Sequence, residues 1–271
     1  MSSMPVSNLT KEKLRKMLEE KKRFDSRDLL DLRDLTIEYE VSNKAEGSAR
    51  VKLGKTEVIV GVKLGVGEPY PDALDKGTLM VSGDLLPSAS PRFETGPPGF
   101  EAIELPRLID RAIRAAEIID FSTLVIEPGK KVWTVFIDIY PINDDGNLID
   151  AASIAAIAAL HKTKVPELDK NGFVDYDKKP TNPLKMNLSV LPISFSFFKL
   201  GNSLFLDPTR EEEEAADSRT TFGISKEGSK YFLNSCQKIG ETPLTQKEVE
   251  SIMSIIPKKF DELSEKLNKY L

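Results

Sequence analysis

The sequence contains one cysteine, Cys236, and one histidine, His161, in 271 residues. A single cysteine excludes a disulfide framework within the chain and is typical of a reducing compartment. We therefore predict a cytoplasmic protein in which Cys236 is a small buried apolar residue. Zinc sites need several cysteine or histidine ligands, so a metal site built on His161 is not expected.

Long apolar segments are also missing. No apolar run approaches the roughly 20 residues that span a membrane, and we predict no membrane association. The N-terminus shows no apolar core followed by small residues, so the sequence gives no indication of a signal peptide.

The sequence also lacks an excess of positive charge. The formal net charge is −5, whereas proteins that bind nucleic acid over their whole surface are usually basic. RNA binding would therefore require a local basic patch or a partner. The 40% apolar and 30% charged residues are ordinary for a globular chain, and the length suffices for one large or two small domains.

Periodic apolar residues predict an α+β chain whose two halves both run from strands to a helix. In the first half we predict strands at 35–41, 48–53, 56–64, 76–86, 124–126 and 132–140, and helices at 103–119 and 148–160. In the second half we predict strands at 186–191, 193–200, 204–206 and 220–225. A C-terminal helix begins at the capping box of Thr245 and Glu248, and Pro257 should bend or break it. Thr10 is predicted to cap a short N-terminal helix.

The helix predicted at 148–160 follows a polar turn at the end of a strand. Its many alanines indicate close approach to a neighbouring element, because a methyl side chain is too small to hold two backbones far apart. The first amides of such a helix are unpaired and can hold a phosphate. The acidic and amide residues here are Asp144, Asp145, Asn147 and Asp150. Carboxylates repel an anion, so the turn has the shape of a phosphate site without its chemistry.

A run rich in acidic residues occupies positions 207–217. Paired carboxylates can bind Mg²⁺ or act as a general acid and base. Neighbouring carboxylates on an exposed loop are more often simply solvated, and we expect this here. Metal binding by residues 211–217 stays an open alternative.

Three arginines, Arg107, Arg111 and Arg114, share one face of the first long helix. At about 100° per residue they spread over about 60°, opposite the apolar stripe. Guanidinium groups on one face suit the phosphates of a nucleic-acid backbone. A solvated face with intrahelical pairs, such as Arg107 with Asp110, is the competing interpretation.

Five segments together resemble the RNase PH family of phosphorolytic exoribonucleases. They are residues 47–58, 83–87, 103–107, 125–130 and 141–160. Their order and spacing are fairly specific, and the resemblance covers most of residues 20–260. Within the family, the chain is more similar to the non-catalytic ring subunit of the archaeal exosome.

The resemblance implies an RNase PH-like α+β fold of two βαβ-type subdomains with sheets covered by helices. The implied boundaries are an N-terminal helical arm at 1–24, subdomain 1 at 25–165, a connection at 166–185, and subdomain 2 with the C-terminal helix at 186–271.

Three departures from the catalytic members imply that this chain has no active site of its own. Where those members carry Gly-Thr-Arg or Gly-Ser-Arg to hold the attacking phosphate, residues 146–148 read Gly-Asn-Leu. Their arginine pair before the preceding helix corresponds to Phe100 and Glu101. Their two aspartates, six residues apart, correspond to a glutamate run in which Asp217 is out of register.

The resemblance thus implies a non-catalytic subunit that alternates with a catalytic RNase PH-like homologue in a hexameric ring. That ring would degrade single-stranded RNA from the 3′ end with phosphate, and RNA-binding cap subunits would lie on it. This chain would structure the partner's active site and bind RNA through Arg107 and Arg111, with Arg114 a weaker candidate. It would need no cofactor, and Mg²⁺ and inorganic phosphate are expected only at the partner's active site.

Two other functions stay open at this point. The chain would itself be a phosphate-dependent 3′-to-5′ exoribonuclease if Glu213 or Asp217 replaced the usual aspartates. A different class, a small-molecule kinase with a related fold, is suggested by the Leu-Pro-Ser-Ala-Ser segment at 86–90. This segment lacks the glycines with which a phosphate loop closes around its ligand.

Overall fold

A computed structural model of the chain describes residues 6–271. Its helices are α1 (Asn8–Glu19), α2 (Phe100–Ala115), α3 (Leu148–His161), α4 (Arg210–Ala215) and α5 (Gln246–Leu267). The strands of the first half are β1 (Leu35–Tyr39), β2 (Gly47–Leu53), β3 (Thr56–Gly67), β4 (Thr78–Gly83), β5 (Val125–Glu127) and β6 (Lys131–Asn143). Those of the second half are β7 (Lys164–Val165), β8 (Asn182–Pro183), β9 (Ile193–Leu200), β10 (Ser203–Leu206), β11 (Ser218–Glu227) and β12 (Lys230–Gly240).

The first sheet has the strand order β1-β2-β3-β6-β4, with β5 paired to β6. Only β4 runs parallel to its neighbour among the pairings of this sheet. Alternate residues of β3 are buried, from Val58 to Leu64, and this inner face packs against α3. The predicted hairpin of β2 and β3 is confirmed, with Gly54 at φ +61° in its turn.

The second sheet has the antiparallel order β10-β9-β11-β12. Every residue of β9 is buried because both of its faces are covered. Phe195 and Phe197 belong to the main core, whereas Phe198 packs in a second core with Leu14 and Leu18 of α1. The N-terminal helix therefore covers a face of the second sheet.

Helix α3 lies between the two sheets and contacts β2, β3 and β9. All of its residues except His161 are buried. Its small side chains permit the close approach: a Cβ on Gly47 of β2 would lie only 2.5 Å from the carbonyl oxygen of Ala159. The predicted packing role of the alanines is thus confirmed.

Several local predictions are wrong. Ser7, not Thr10, caps α1, since its hydroxyl accepts the backbone N–H of Thr10. The strand predicted at 186–191 is a single 3₁₀ turn, Leu188–Val190, because the side chain of Asn187 accepts the N–H of Ser189. Helix α5 continues through Pro257, so a break there, one of the two outcomes predicted, does not occur.

Strand β12 was not predicted from the sequence. It is an edge strand with mostly exposed or half-buried residues, so its apolar alternation is weak. Cys236 lies on this strand and is exposed, contrary to the buried position predicted for it. Within residues 6–271, no helix is long and apolar enough to cross a membrane. The first five residues of the predicted arm at 1–24 lie outside the described part.

Candidate functional site

The turn between β6 and α3 is where the sequence indicates the shape of a phosphate site. Gly146 has φ +86°, and a Cβ there would lie 2.6 Å from the carbonyl oxygen of Pro208. Glycine is therefore required both for the backbone conformation and for the contact with the loop before α4. The next residue, Asn147, is buried and donates from its side chain to Asp207 at 2.9 Å.

The acidic run at 207–217 is not the exposed, solvated loop that the sequence suggested. Residues 210–215 form α4, which begins with a capping box of Thr209 and Glu212. The side chains of Asp207 and Glu212 are fully buried. The expectation failed because the groups that neutralise these carboxylates come from distant parts of the chain.

A carboxylate of α4 lies at the start of α3. The backbone N–H of Asn147 donates to Oε2 of Glu213 at 2.6 Å. A phosphate held at this helix start would need such an amide. The chain therefore supplies its own anion at this position, and burial raises the pKa of Glu213 although Arg92 and the Asn147 amide oppose that effect.

Arg92 is the nearest guanidinium to this carboxylate. Its Nε lies 2.8 Å from Asp144, its Nη2 3.8 Å from Glu213 and its Nη1 3.7 Å from Glu101. Arg92 is thus held among acids rather than presented to a ligand. Sequence reasoning missed this residue because it follows a proline in a loop without periodicity.

A second arginine nearby, Arg219 of β11, pairs with Glu104 of α2 at 2.7 Å. The whole group contains two more carboxylates than guanidinium groups. Its members are Arg92, Arg219, Glu101, Glu104, Asp144 and Glu213. Such a balance disfavours a further anion. In residues 6–271 no group of three or more acidic, histidine or cysteine side chains is placed to hold a metal ion.

Three arginines near the N-terminus bind carboxylates of the same region. Arg23 pairs with Glu212, while Arg27 and Arg33 both bind the carboxylate of Asp207. Arg33 also donates to the carbonyl oxygen of Gly146 at 2.9 Å. These contacts join residues 23–33 to α4 and to the turn before α3. Sequence reasoning missed them, since the residues are more than 100 positions apart.

Asp150, in the first turn of α3, is also buried. Its carboxylate accepts the backbone N–H of Ser196 at 3.0 Å and the Ser196 hydroxyl at 2.8 Å. Burial raises the pKa of Asp150 to about 7, although the hydrogen bonds from Ser196 oppose the shift. This carboxyl connects the central helix to β9 of the second sheet and is remote from solvent.

The arginine face of α2 consists of Arg107, Arg111 and Arg114, all exposed. The guanidinium of Arg107 forms no hydrogen bond or ion pair with residues 6–271, and the pair with Asp110 considered above does not form. Arg111 donates to the carbonyl oxygen of Arg107 at 3.3 Å and to Gln237 of β12 at 3.2 Å. These two arginines keep donors for an external anion.

Arg114 differs from the other two. Its Nε pairs with Asp110 at 2.8 Å, and its Nη2 donates to the carbonyl oxygen of Leu79 at 2.6 Å. The guanidinium also lies 5.7 Å from the ring centre of Phe121. The competing interpretation of an intrahelical pair thus applies to Arg114.

Comparisons with known proteins agree with this fold. Residues 31–166 match the 3′ exoribonuclease family, domain 1, and residues 191–255 match domain 2 of that family. The chain is 42% identical over 265 residues to the exosome complex component Rrp42 of Methanothermobacter thermautotrophicus, covering 97% of this chain and 96% of that protein. It is 44% identical over 268 residues to the component of the same name from Pyrobaculum aerophilum, and the match covers 98% of this chain and 96% of that protein.

A solved structure of the Archaeoglobus fulgidus exosome with RNA bound to the active site contains a similar chain. The TM-score is 0.87 at 40% identity, and the match covers 96% of this chain and 98% of that one. This degree of similarity extends over both sheets, and it argues against the small-molecule kinase hypothesis. The chain therefore belongs to the RNase PH family of 3′ exoribonucleases and is similar over nearly its full length to archaeal exosome components.

Proposed function

We propose that this chain is a non-catalytic subunit of an exosome ring that degrades RNA phosphorolytically from the 3′ end. The observation that carries the proposal is the contact of Glu213 with the Asn147 amide at 2.6 Å. A phosphorolytic enzyme must bind phosphate, and here a side chain of the protein occupies that position. Mg²⁺ and inorganic phosphate act, in this proposal, only at the active site of a catalytic RNase PH-like partner.

The charge of the surrounding group supports the same conclusion. A bound phosphate would approach four carboxylates and only two guanidinium groups. All of these side chains except Glu101 are at most 16% exposed, and like charges in such surroundings repel more strongly than in water. The alternative in which Glu213 or Asp217 acts as a catalytic aspartate has little support. Asp217 pairs with Lys11 at 2.8 Å and accepts the N–H of Gly201 at 2.9 Å.

The outer face of the first sheet supports assembly with a partner. Tyr140 and Ile142 alternate on the side of β6 that faces away from α3, and Met80 shares this side through its register with Phe136. Met80, Tyr140 and Ile142 are each 39–45% exposed. Exposed apolar patches mark interaction surfaces, and we infer that a catalytic homologue covers this face in an alternating hexameric ring. RNA-binding cap subunits and a cytoplasmic location complete the proposal.

The first test is degradation of a 5′-labelled single-stranded RNA with Mg²⁺ and phosphate. We expect no shortening by the pure chain, and we expect its mixture with the catalytic homologue to exceed the homologue alone. Phosphate-dependent shortening by the pure chain would show that the carboxylate-filled turn still works as an active site. In that case Glu213→Gln should abolish the activity.

A second test concerns the arginine face. Replacing Arg107 and Arg111 together with alanine should weaken RNA binding by the assembled ring about tenfold or more, because charged donors to phosphates are lost. The slope of log affinity against log salt should fall by about 0.7 for each lost phosphate contact. Both quantities can be measured by fluorescence anisotropy over a salt series.

The matched control is Arg15→Ala, which removes an exposed arginine from α1. The loss of one positive charge at this site should leave the affinity and the slope near those of the wild type. An unchanged slope in the Arg107→Ala/Arg111→Ala double variant would exclude both residues from the RNA path.

A further inference from the structure

A groove of about 410 Å³ separates α2 from β12, beside the arginine face. Its lining consists of Leu108, Arg111, Arg114, Ala115, Asn234, Ser235, Cys236 and Gln237. This volume lies within the range of about 300–1,000 Å³ that is usual for small-molecule sites. The groove is therefore large enough for one planar heterocycle.

The lining of this groove carries two arginines, of which Arg114 is paired with Asp110 outside the lining and Arg111 has no acidic partner among the described residues. Four other cavities of the described chain are each lined by two to five carboxylates. The groove contains two arginines and no acidic residue. A negatively charged polymer that reaches the arginine face thus meets no carboxylate in the lining of the groove itself.

The polar residues of the groove leave donors available. Nη2 of Arg111 donates to the side-chain oxygen of Gln237 at 3.2 Å, which fixes the direction of that amide. The amide nitrogen of Gln237 keeps its two N–H donors. Leu108 and Ala115 add an apolar surface to the same groove. Apolar contact together with amide donors suits a nucleobase.

The walls of the groove are held together tightly. A Cβ on Gly223 of β11 would lie 2.4 Å from the hydroxyl of Ser235 and 3.4 Å from the Cβ of Ala112. The absence of a side chain at Gly223 therefore allows α2 to pack directly on the second sheet. The separation of the two walls is set by this contact, and the groove has a defined width.

We propose that this groove binds one nucleobase of the single-stranded RNA whose phosphates contact Arg107 and Arg111, with Gln237 as the base-contacting residue. This inference rests on the function proposed above. It adds a part of the second sheet to an RNA site that the sequence placed on one helix. The RNA path would then cross from the first sheet to the second at β12.

The single cysteine provides a test, because Cys236 is exposed and lies in β12 between the groove residues Ser235 and Gln237. In the assembled ring, a single-stranded oligoadenylate should slow alkylation of Cys236 by N-ethylmaleimide at least fivefold, as followed by mass spectrometry of its peptide. Inorganic polyphosphate, which carries phosphates without bases, should give no such protection. Equal protection by both polymers, or a thiol that is already unreactive in the RNA-free ring, would overturn the proposal.

A substitution separates the base contact from the phosphate contacts. Gln237→Ala should weaken RNA binding about threefold to tenfold, as expected for one lost hydrogen bond, and should leave the salt slope unchanged. Gln246→Ala, which alters an exposed glutamine of α5, should change neither quantity. Wild-type affinity in Gln237→Ala would overturn the inference.

The two proposals fail in different ways. If only the groove is wrong, Arg107→Ala/Arg111→Ala still lowers the salt slope, while RNA does not protect Cys236. If the RNA-binding function is wrong, the arginine variant keeps the wild-type slope and the thiol is also unprotected.

Discussion

Glu212→Ala is expected to lower the free energy of unfolding of this chain by about 3–5 kcal/mol, the usual cost of removing one partner of a buried ion pair. The side chains of Arg23 and Glu212 are both completely inaccessible to solvent. In the variant, the guanidinium of Arg23 would stay buried with the carbonyl oxygens of Leu206 and Asp207 as hydrogen-bond partners, and its remaining carboxylate, Asp25, would lie 3.9 Å away. A buried charge without a close counter-charge is the physical reason for the large effect.

The loss should be measured by urea denaturation with a spectroscopic readout. The matched control is Glu20→Ala, which removes the acidic partner from a highly exposed pair with Lys22. No resolvable change is expected there, because exposed ion pairs contribute little. Replacing both buried partners with apolar residues, Arg23→Met/Glu212→Leu, should recover most of the lost stability.

A Glu212→Ala variant as stable as the Glu20→Ala control would contradict this account. It would mean that the N-terminal arm is not required for the conformation of α4. Since α4 carries Glu213, such a result would also weaken the argument that the phosphate position is permanently filled.

Asp150→Asn is expected to remove a pH dependence of stability that amounts to as much as about 4 kcal/mol between pH 4 and pH 7. The pKa of Asp150 is raised from 3.8 to about 7 in the folded chain, a shift of about three units at 1.36 kcal/mol each. In this pH window the folded chain keeps the proton and the unfolded chain has lost it. Unfolding then releases a proton, so this group makes stability fall as pH rises.

The asparagine variant does not titrate and can retain both hydrogen bonds to Ser196, with its oxygen accepting the N–H and its amide donating to the hydroxyl. We therefore expect it to be less stable than or equal to the wild type near pH 4 and more stable than the wild type above pH 7. The measurement is a series of urea denaturation curves for both proteins at matched pH values.

Asp120→Asn provides the control for this series. The pKa of exposed Asp120 is lowered, chiefly by its hydrogen bonds with Ser122, so its titration lies below the pH window. Its variant should follow the wild-type curve from pH 4 to pH 7. A constant difference between wild type and Asp150→Asn over this range would show that the carboxyl is ionised throughout.

Local patterns in the sequence determined much of the fold. The β2–β3 hairpin, the helices α2 and α3, and the common face of Arg107 and Arg111 all follow from apolar spacing and turn residues within a few positions. Such features depend on neighbours in the chain, and a single sequence contains that information. The order of the quoted motifs was also sufficient to indicate the family.

Only the tertiary structure decided which charged residues are buried and what they contact. The glutamates of α4 form an ordinary polar run in the sequence, yet Glu212 meets Arg23 across 189 positions and Glu213 meets the Asn147 amide across 66. Strand β12 and the exposure of Cys236 were missed for the same reason, since the exposure of an edge strand depends on which distant elements pack against it. The free energy of a charge depends on its surroundings in three dimensions, and sequence spacing determines those surroundings only within a helix, a strand or a turn.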